Sequence, residues 1–252
     1  GDPQVDRAAI HVTGTNGKGS VVAMTSALLA AAGLRVGSYT SPHVDTIRER
    51  LKISGEMIGE EDFADLVADL ARYAGTLDER PSYFELLTAA AFLWFSNEAV
   101  DAAVVEVGLL GRFDATNVIE PAVSVITNIG FDHTDGEGDW RRAIAGEKAG
   151  IIERGRPLVL GDTSVDLLDI FVAEGPDPLF VRGTDFGVSS SSPAVAGQVV
   201  DLFGPFGRHN EVYISLHGIH QADNAAVAVT AVEAMLGTAL GDDVVPEAFA
   251  DL

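Results

Sequence analysis

Short apolar runs rich in β-branched residues alternate along the chain with longer stretches of helical period. The short runs predict strands and the longer stretches predict helices. The predicted strands are residues 9–13, 36–40, 102–107, 123–128 and 158–160. The predicted helices are residues 18–32, 60–73, 84–97, 140–149 and 220–236. This alternation is typical of βα units arranged around a mostly parallel sheet.

The pattern changes between residues 178 and 216, where short segments contain Ser, Gly and Pro. Such segments predict a small antiparallel β patch, which we expect on the edge of the main sheet. The chain has no repeat of fixed period and no long linker, so residues 1–240 are expected to form one α/β domain. Residues 241–252 are expected to begin a linker to a further domain, and both ends of the sequence look trimmed.

Composition and charge exclude several classes of protein. The 252 residues are 47% hydrophobic and carry a net charge of −22, which is the composition of a globular protein. The longest apolar stretch, residues 86–95, is far shorter than the roughly 20 residues that span a bilayer. The negative field opposes binding to nucleic acid or anionic lipid, so we expect neither as a partner. Without cysteine, disulfides and thiolate metal sites are excluded.

A glycine-rich segment follows the first predicted strand and leads into an Ala-rich helix. In this order, backbone N–H groups and the positive helix end can cradle a phosphate, while Lys18 adds a point charge. The segment is shorter than the common G-x-x-x-x-G-K-[ST] loop and has Gly19 at the hydroxyl position, which weakens Ser20 as a metal ligand. The alternative is a turn that only lets a helix pack closely on the sheet. The candidate nucleotide-binding residues are Gly14, Thr15, Asn16, Gly17, Lys18, Gly19 and Ser20.

Seven sequence strings occur in one order: HVTGTNGKGS, YTSPHV with RERLKI after it, SYFELLTAAAF, EVGLLGRFDATN, DHTD, GEKAGII and HGIHQADNAA. Together they resemble the ATP-binding domain of the folylpolyglutamate and dihydrofolate synthases, members of the Mur ligase superfamily. The resemblance covers roughly residues 1–240 and implies a P-loop NTPase-like, mostly parallel sheet flanked by helices. It also implies an ATP-dependent amide ligase that phosphorylates a pteroate or folate carboxylate and joins it to glutamate. Phosphoryl transfer of this kind depends on positioning and positive charge more than on a protein nucleophile.

The resemblance further implies a set of metal-binding and catalytic residues. Ser41, Glu106 and His133 correspond to ligands of a first magnesium, and Lys148 to a carbamylated lysine that ligates a second. Lys18, Lys148 and His133 would then be the catalytic residues. Glu106 lies at the end of the predicted strand 102–107, and His133 follows the predicted strand 123–128. Both would therefore lie at the edge where open α/β sheets bind ligands. The alternatives are a capped acid in a turn for Glu106, a non-ligating His133, and a surface Lys148 paired with a helix neighbour.

A second group of residues is assigned to the adenine base. The resemblance gives this role to Asn224, with Gln221 beside it, because amides carry both donors and acceptors. Two amides at a helix start are also common as caps, which is the alternative.

Candidate substrate residues lie in two further segments. Arg112 and Asp114 are predicted either to contact the substrate or to pair with each other. Tyr83 and Phe84 are predicted to line the same cleft or to belong to the core. His43, Arg48 and Arg50 would add local positive charge to an otherwise acidic protein.

The sequence departs from the family pattern at Leu110, which replaces the first glycine of a Gly-Gly pair. If that position requires a positive φ, leucine is costly there. The C-terminal domain of the family enzymes, and the helical segment before their phosphate loop, lie outside the present sequence. We expect a monomeric, cytoplasmic ligase of folate metabolism, and leave open which of the two synthase activities it has. The alternatives are another Mur-type amino-acid ligase and a non-catalytic ATP-binding module without its partner domain.

Overall fold

An eight-stranded sheet forms the centre of the computed structural model, which describes residues 2–5, 7–131, 136–250 and 252. The strands run in the order β4-β3-β2-β5-β1-β6-β7-β8. All neighbouring pairs are parallel except β2 with β3 and β3 with β4, which are antiparallel. The strands are β1 (Ala8–Thr13), β2 (Val36–Tyr39), β3 (Leu51–Ile53), β4 (Glu56–Met57), β5 (Ala102–Glu106), β6 (Val123–Ile126), β7 (Leu158–Leu160) and β8 (Leu179–Val181).

Helices cover both faces of this sheet because the central strands are apolar on both sides. Ala102 and Val104 of β5 belong to one buried cluster, whereas Ala103 and Val105 belong to another. The first cluster contains residues of α1, α6 and α7, and the second those of α2 and α3. The helices are α1 (Lys18–Ala31), α2 (Glu60–Ala74), α3 (Tyr83–Asn97), α4 (Trp140–Ala149), α5 (Leu168–Glu174), α6 (Ile219–Leu236) and α7 (Val244–Ala250), with short 3-10 helices at Ile47–Arg50 and Val165–Leu167.

The predicted α/β class is confirmed, and the predicted strands and helices agree with the observed ones within two residues at each end. The short elements β3, β4 and α5 were not predicted. Val245 and Phe249 of α7 are fully buried in the same cluster as α1 and α6. Helix α7 thus packs on the domain at the point where a linker was expected to begin. The linker itself stays a prediction.

The antiparallel patch exists, but its predicted place on the edge of the main sheet is wrong. β8 pairs in parallel with β7 and is part of the main sheet. β9 (Gly187–Ala194), β10 (Gly197–Phe203) and β11 (Arg208–Ile214) form a separate three-stranded sheet. Its inward residues Val200, Leu202, Val212 and Ile214 are buried with α6. The apolar face of this small sheet is buried because the sheet packs on α6 as a separate layer. Strands added to the edge of the main sheet would leave that face without this contact.

No helix within the described part of the chain combines the length and the apolar character that a membrane span requires.

Candidate active site

Four loops meet at the edge of the sheet where the parallel strands end. The loop after β1 carries the glycine-rich segment, β2 leads to Ser41, β5 ends at Glu106, and β6 leads to Thr127 and Asn128. Because β2, β5, β1 and β6 are consecutive neighbours in the sheet, these residues lie side by side. The carboxyl ends of parallel strands are where open α/β sheets bind their ligands.

Hydrogen bonds from the end of β6 hold the glycine-rich loop. Thr127 Oγ1 donates to the carbonyl of Asn16 at 2.6 Å, and Asn128 Nδ2 donates to the same carbonyl at 2.9 Å. In return, the Asn16 N–H donates to Asn128 Oδ1 at 3.0 Å. Gly14 has a φ of +149°, and a side chain there would meet Thr127 Oγ1 at 1.8 Å. The loop therefore requires glycine at this position and is fixed before any ligand binds.

Helix α1 begins directly from this loop. Gly17, its N-cap residue, is left-handed at φ 81°, and no side chain caps the helix. The first turn also contains no acidic residue. The Lys18 ammonium donates to the carbonyl of Gly14 at 3.0 Å, so the lysine lies across the loop. A helix N-terminus with an adjacent lysine and no acidic side chain is suited to bind an anion.

Glu106 places a buried carboxylate beside this loop. Its side chain accepts the N–H of Ser41 at 3.0 Å, and the residue is 3% exposed. Burial raises the pKa of Glu106 from 4.5 to about 7, although the Ser41 N–H, Lys18 and Arg50 each oppose that shift. A bound cation would relieve the cost of ionising this group, because an opposite charge favours the carboxylate.

The predicted magnesium ligands are described only in part. Ser41 and Glu106 are adjacent, as the hydrogen bond between them requires, whereas His133 lies outside the described residues. Within the described ranges, no three His, Asp or Glu side chains are grouped to hold a metal ion. The buried carboxylate and the serine hydroxyl are oxygen donors of the kind that magnesium prefers, so they fit such an ion.

Lys148 lies on α4 and is 1% exposed. The surface position that the alternative required is therefore wrong. The helix packs closely under the loop that follows β5, where a side chain at Gly111 would approach the Lys148 Cα to 3.2 Å. Carbamylation of Lys148 stays a prediction.

The two amides predicted for the adenine base lie beside the phosphate loop. Asn224 Nδ2 donates to Gln221 Oε1 at 3.1 Å. A side chain at Gly17 would meet Asn224 Oδ1 at 2.7 Å. Neither residue caps α6, whose N-cap Gly218 makes no side-chain hydrogen bond. The contact with Gly17 places Asn224 next to the phosphate-binding segment, and its contact with a base stays a prediction.

A cavity of about 650 Å³ opens beside Ser41, one of the predicted magnesium ligands. Ser41, Arg50, Phe84 and Asp114 line it, together with Leu110 and Phe113. Arg50 is only 8% exposed, and its Nε donates to His43 Nδ1 at 3.0 Å. The guanidinium lies 5.9 Å from the centre of the Tyr83 ring. Arg50 thus places one buried cation in the cavity wall.

The predicted substrate residues separate into two groups. Asp114 and Phe84 line the cavity, although Phe84 also packs against Tyr39 at a ring distance of 6.0 Å. Tyr83 is 58% exposed and is absent from the lining, and its ring contacts the Arg50 guanidinium. Arg112 is absent from the lining and forms an ion pair with Glu174.

The alternative that Arg112 and Asp114 pair with each other is wrong. The Asp114 carboxylate instead accepts the N–H of Leu109 at 2.8 Å and that of Thr116 at 3.0 Å. The side chain of Asp114 is thereby tied to its own loop, while Arg112 is drawn away to α5, 62 residues along the chain.

Leu110 adopts φ +60°, so this position does have the left-handed conformation expected of the family's glycine. Its carbonyl accepts the Thr13 hydroxyl at 2.5 Å, and its side chain packs on the cluster around α4. Hydrogen bonding and apolar contact thus hold a leucine in a conformation that glycine adopts without steric cost.

Several residues of this edge were missed by the sequence analysis. Thr127, Asn128 and Asp162 all follow buried strands, and that position was the available signal. Asp162 accepts the Ile129 N–H at 2.8 Å and lies 3.6 Å from Arg141 of α4, joining the loop after β6 to that helix. His11 gave no signal, because a histidine inside an apolar strand is usually a core residue.

A phosphate-type loop at the C-terminal edge of a parallel sheet, with a buried carboxylate beside it, defines a P-loop α/β domain. The family model of the Mur ligase middle domain matches residues 12–232, and the chain belongs to the Mur ligase family. The dihydrofolate synthase/folylpolyglutamate synthase of Mycobacterium tuberculosis is 40% identical, over 94% of this chain and 53% of its own length.

Two solved structures show the same similarity. The Mycobacterium tuberculosis folylpolyglutamate synthase complexed with ADP and AMPPCP superimposes with a TM-score of 0.95 at 39% identity, covering 99% of this chain and 60% of the other. A folylpolyglutamate synthase (FPGS) complex with AMPPCP and folate gives 0.92 at 34% identity, covering 98% and 63%. The chain spans about half the length of the curated relatives it matches.

Proposed function

We propose that this chain is the ATP-binding part of an amide ligase that joins glutamate to the carboxylate of a pteroate or folate. The observation that carries the proposal is the adjacency of three features: the preformed phosphate loop, the buried Glu106 and the cavity lined by Arg50 and Asp114. Similar structures are described as complexes with ADP, AMPPCP and folate, which supports a nucleotide and a folate as ligands here.

The phosphates of ATP would bind at the start of α1. The loop from Gly14 to Ser20 offers backbone N–H groups, and Lys18 supplies the positive charge that a triphosphate needs. Asn224 and Gln221 adjoin the loop and would meet the nucleotide from the side of α6.

Magnesium would be held by Ser41, Glu106 and His133, with Lys148 as a carbamate for a second ion. When bound, the metal neutralises phosphate charge and helps the β- and γ-phosphate oxygens accept negative charge. Carbamylation converts a buried cation into an anion, which suits the deep burial of Lys148 only if a metal ion compensates the new charge.

The reaction has two balanced steps. A carboxylate oxygen of the pteroate attacks the γ-phosphorus, the bond to the bridging oxygen breaks, and ADP leaves with that electron pair. The glutamate amine then attacks the acyl carbon, loses a proton, and phosphate departs as the amide forms. Lys18 would stabilise negative charge in the first step, and the cavity would hold the carboxylate near the phosphate loop away from bulk water.

The same similarity favours this function over the two alternatives. The relatives are folylpolyglutamate and dihydrofolate synthases. The strings SYFE and GRFDATN also argue against another Mur-type ligase. The partner domain, the cytoplasmic location and the monomeric state belong to this proposal as expectations. Which of the two synthase activities the chain serves depends on the pteroate or folate it accepts.

Mass spectrometry of glutamylated product tests the proposal. The full-length protein, which contains this chain and the expected partner domain, is incubated with Mg-ATP, glutamate and either dihydropteroate or tetrahydrofolate, and we expect a product heavier by one glutamate residue. Lys18→Met should abolish it, whereas the matched variant Lys52→Met, on strand β3, should not. A glutamylated product that forms equally in Lys18→Met, or product only from a different acid, would contradict the proposal.

A further inference from the structure

A chain of hydrogen bonds runs from the strand before the phosphate loop to the substrate cavity. His11, on β1, has its Nε2 2.9 Å from Thr116 Oγ1. The Thr116 hydroxyl donates in turn to Asp114 Oδ1 at 2.5 Å. Asp114 lines the cavity, whereas His11 and Thr116 are both fully buried.

The direction of each bond follows from the donors available. A carboxylate only accepts, so Thr116 uses its single O–H on Asp114 and can only accept from His11. His11 must therefore carry its proton on Nε2. Burial lowers the pKa of His11 to about 3, which keeps the ring neutral, and none of the described residues forms a hydrogen bond with its Nδ1. The histidine thus acts as a fixed donor.

Both carboxylate oxygens of Asp114 accept hydrogen bonds from its own loop. Oδ1 accepts from the Thr116 hydroxyl and N–H, and Oδ2 accepts the Leu109 N–H at 2.8 Å. Three donors around one carboxylate fix its rotation and leave its remaining lone pairs toward the cavity that it lines. A group held in this way offers an acceptor of defined direction to an N–H donor of a ligand.

We infer that His11 and Thr116 are positioning residues, which hold the Asp114 carboxylate in the direction that an N–H donor of the pteroate substrate requires. The inference rests on the proposed function, because it takes the occupant of the cavity to be a pteroate or folate. His11 lies three residues before Gly14, so the same strand that positions the phosphate loop also positions the Asp114 carboxylate.

The test compares two ligands on the full chain. Calorimetric titration measures the Kd for dihydropteroate and, separately, for AMPPCP. Thr116→Val keeps the shape of the side chain but removes the hydroxyl. We expect it to weaken dihydropteroate about tenfold or more, the effect typical of losing a hydrogen bond to a charged group, with AMPPCP binding unchanged. Thr116→Ser retains the hydroxyl and should restore most of the lost affinity.

A double-mutant cycle shows whether Thr116 acts through Asp114. Asp114→Asn should weaken dihydropteroate by itself, and adding Thr116→Val to that variant should cost little more. His11→Gln, which keeps an N–H donor near the Nε2 position, should bind more tightly than His11→Leu. If Thr116→Val does not fold, the two His11 variants still make the comparison.

Three results would overturn the inference alone: equal weakening of both ligands by Thr116→Val, no recovery in Thr116→Ser, or full additivity with Asp114→Asn. A wild-type chain that binds AMPPCP but neither dihydropteroate nor tetrahydrofolate would instead overturn the proposed substrate class, and the inference with it.

Discussion

Replacing Glu106 with glutamine should stabilise the metal-free chain at alkaline pH and remove its response to magnesium. The side chain is 3% exposed, and burial raises its pKa from 4.5 to about 7. Because the folded-state pKa lies above the unfolded one, its contribution favours folding below pH 4.5 and is lost as pH rises toward 7. A shift of this size costs about 3 kcal/mol once the group is ionised in both states.

Glutamine has nearly the same shape, can still accept the Ser41 N–H, and has no charge to desolvate. We therefore expect Glu106→Gln to exceed the wild type in free energy of unfolding by less than about 1 kcal/mol at pH 5 and by about 3 kcal/mol at pH 8. For a chain of this length that is a rise in Tm of roughly 6–12 °C at pH 8.

Urea and thermal unfolding at both pH values, with EDTA and with magnesium, measure these differences. Magnesium should stabilise the wild type and leave Glu106→Gln unaffected, because only the carboxylate gains from the cation. Glu56→Gln, at an exposed position on β4, controls for the loss of one negative charge from a chain of net charge −22. A Glu106→Gln variant that is less stable than the wild type at pH 8, or equally stabilised by magnesium, would refute this reasoning.

Three further predictions concern other parts of the domain. Lys18→Met should weaken AMPPCP binding by at least about tenfold in calorimetry, as expected for losing a charged contact to phosphate; an unchanged Kd would contradict the loop assignment. Glu233→Leu removes the hydrogen-bond acceptor of His209 Nε2 and of the Leu240 N–H. We expect urea unfolding to show a loss of about 3 kcal/mol in the free energy of unfolding, and a loss below about 0.5 kcal/mol would contradict this prediction. Leu110→Gly should be about 1 kcal/mol more stable than Leu110→Ala in the same assay, because only alanine is strained at φ +60°; the reverse order would show that the conformation is not costly.

Local patterns predicted most of the fold and the centre of the site. The strand, the glycine-rich turn and the helix follow one another directly between residues 8 and 31, so the loop around Lys18 could be assigned from sequence. Glu106 was placed at the correct edge because it ends an apolar strand. The steric cost at Leu110 could also be expected from the sequence, since a leucine occupies the position where the family has glycine.

The errors arose where distant segments decide the structure. Arg112 lies close to Asp114 in sequence, yet its partner Glu174 is 62 residues away on α5. The sheet β9–β11 alternates like an edge hairpin, and only its packing on α6 shows that it forms its own layer. The hydrogen-bonded series from His11 through Thr116 to Asp114 was not predicted, because His11 and Thr116 are 105 residues apart and no periodic pattern connects them.

The transfer of an oxygen atom tests the ligase function most directly. Dihydropteroate or tetrahydrofolate labelled with oxygen-18 in the reacting carboxylate is incubated with Mg-ATP, glutamate and the full-length protein that contains this chain and the expected partner domain. The released phosphate is analysed by mass spectrometry. Attack of the carboxylate on the γ-phosphate predicts that one labelled oxygen appears in each phosphate, in step with amide formation. Unlabelled phosphate, or release of AMP and pyrophosphate, would contradict the acyl-phosphate route.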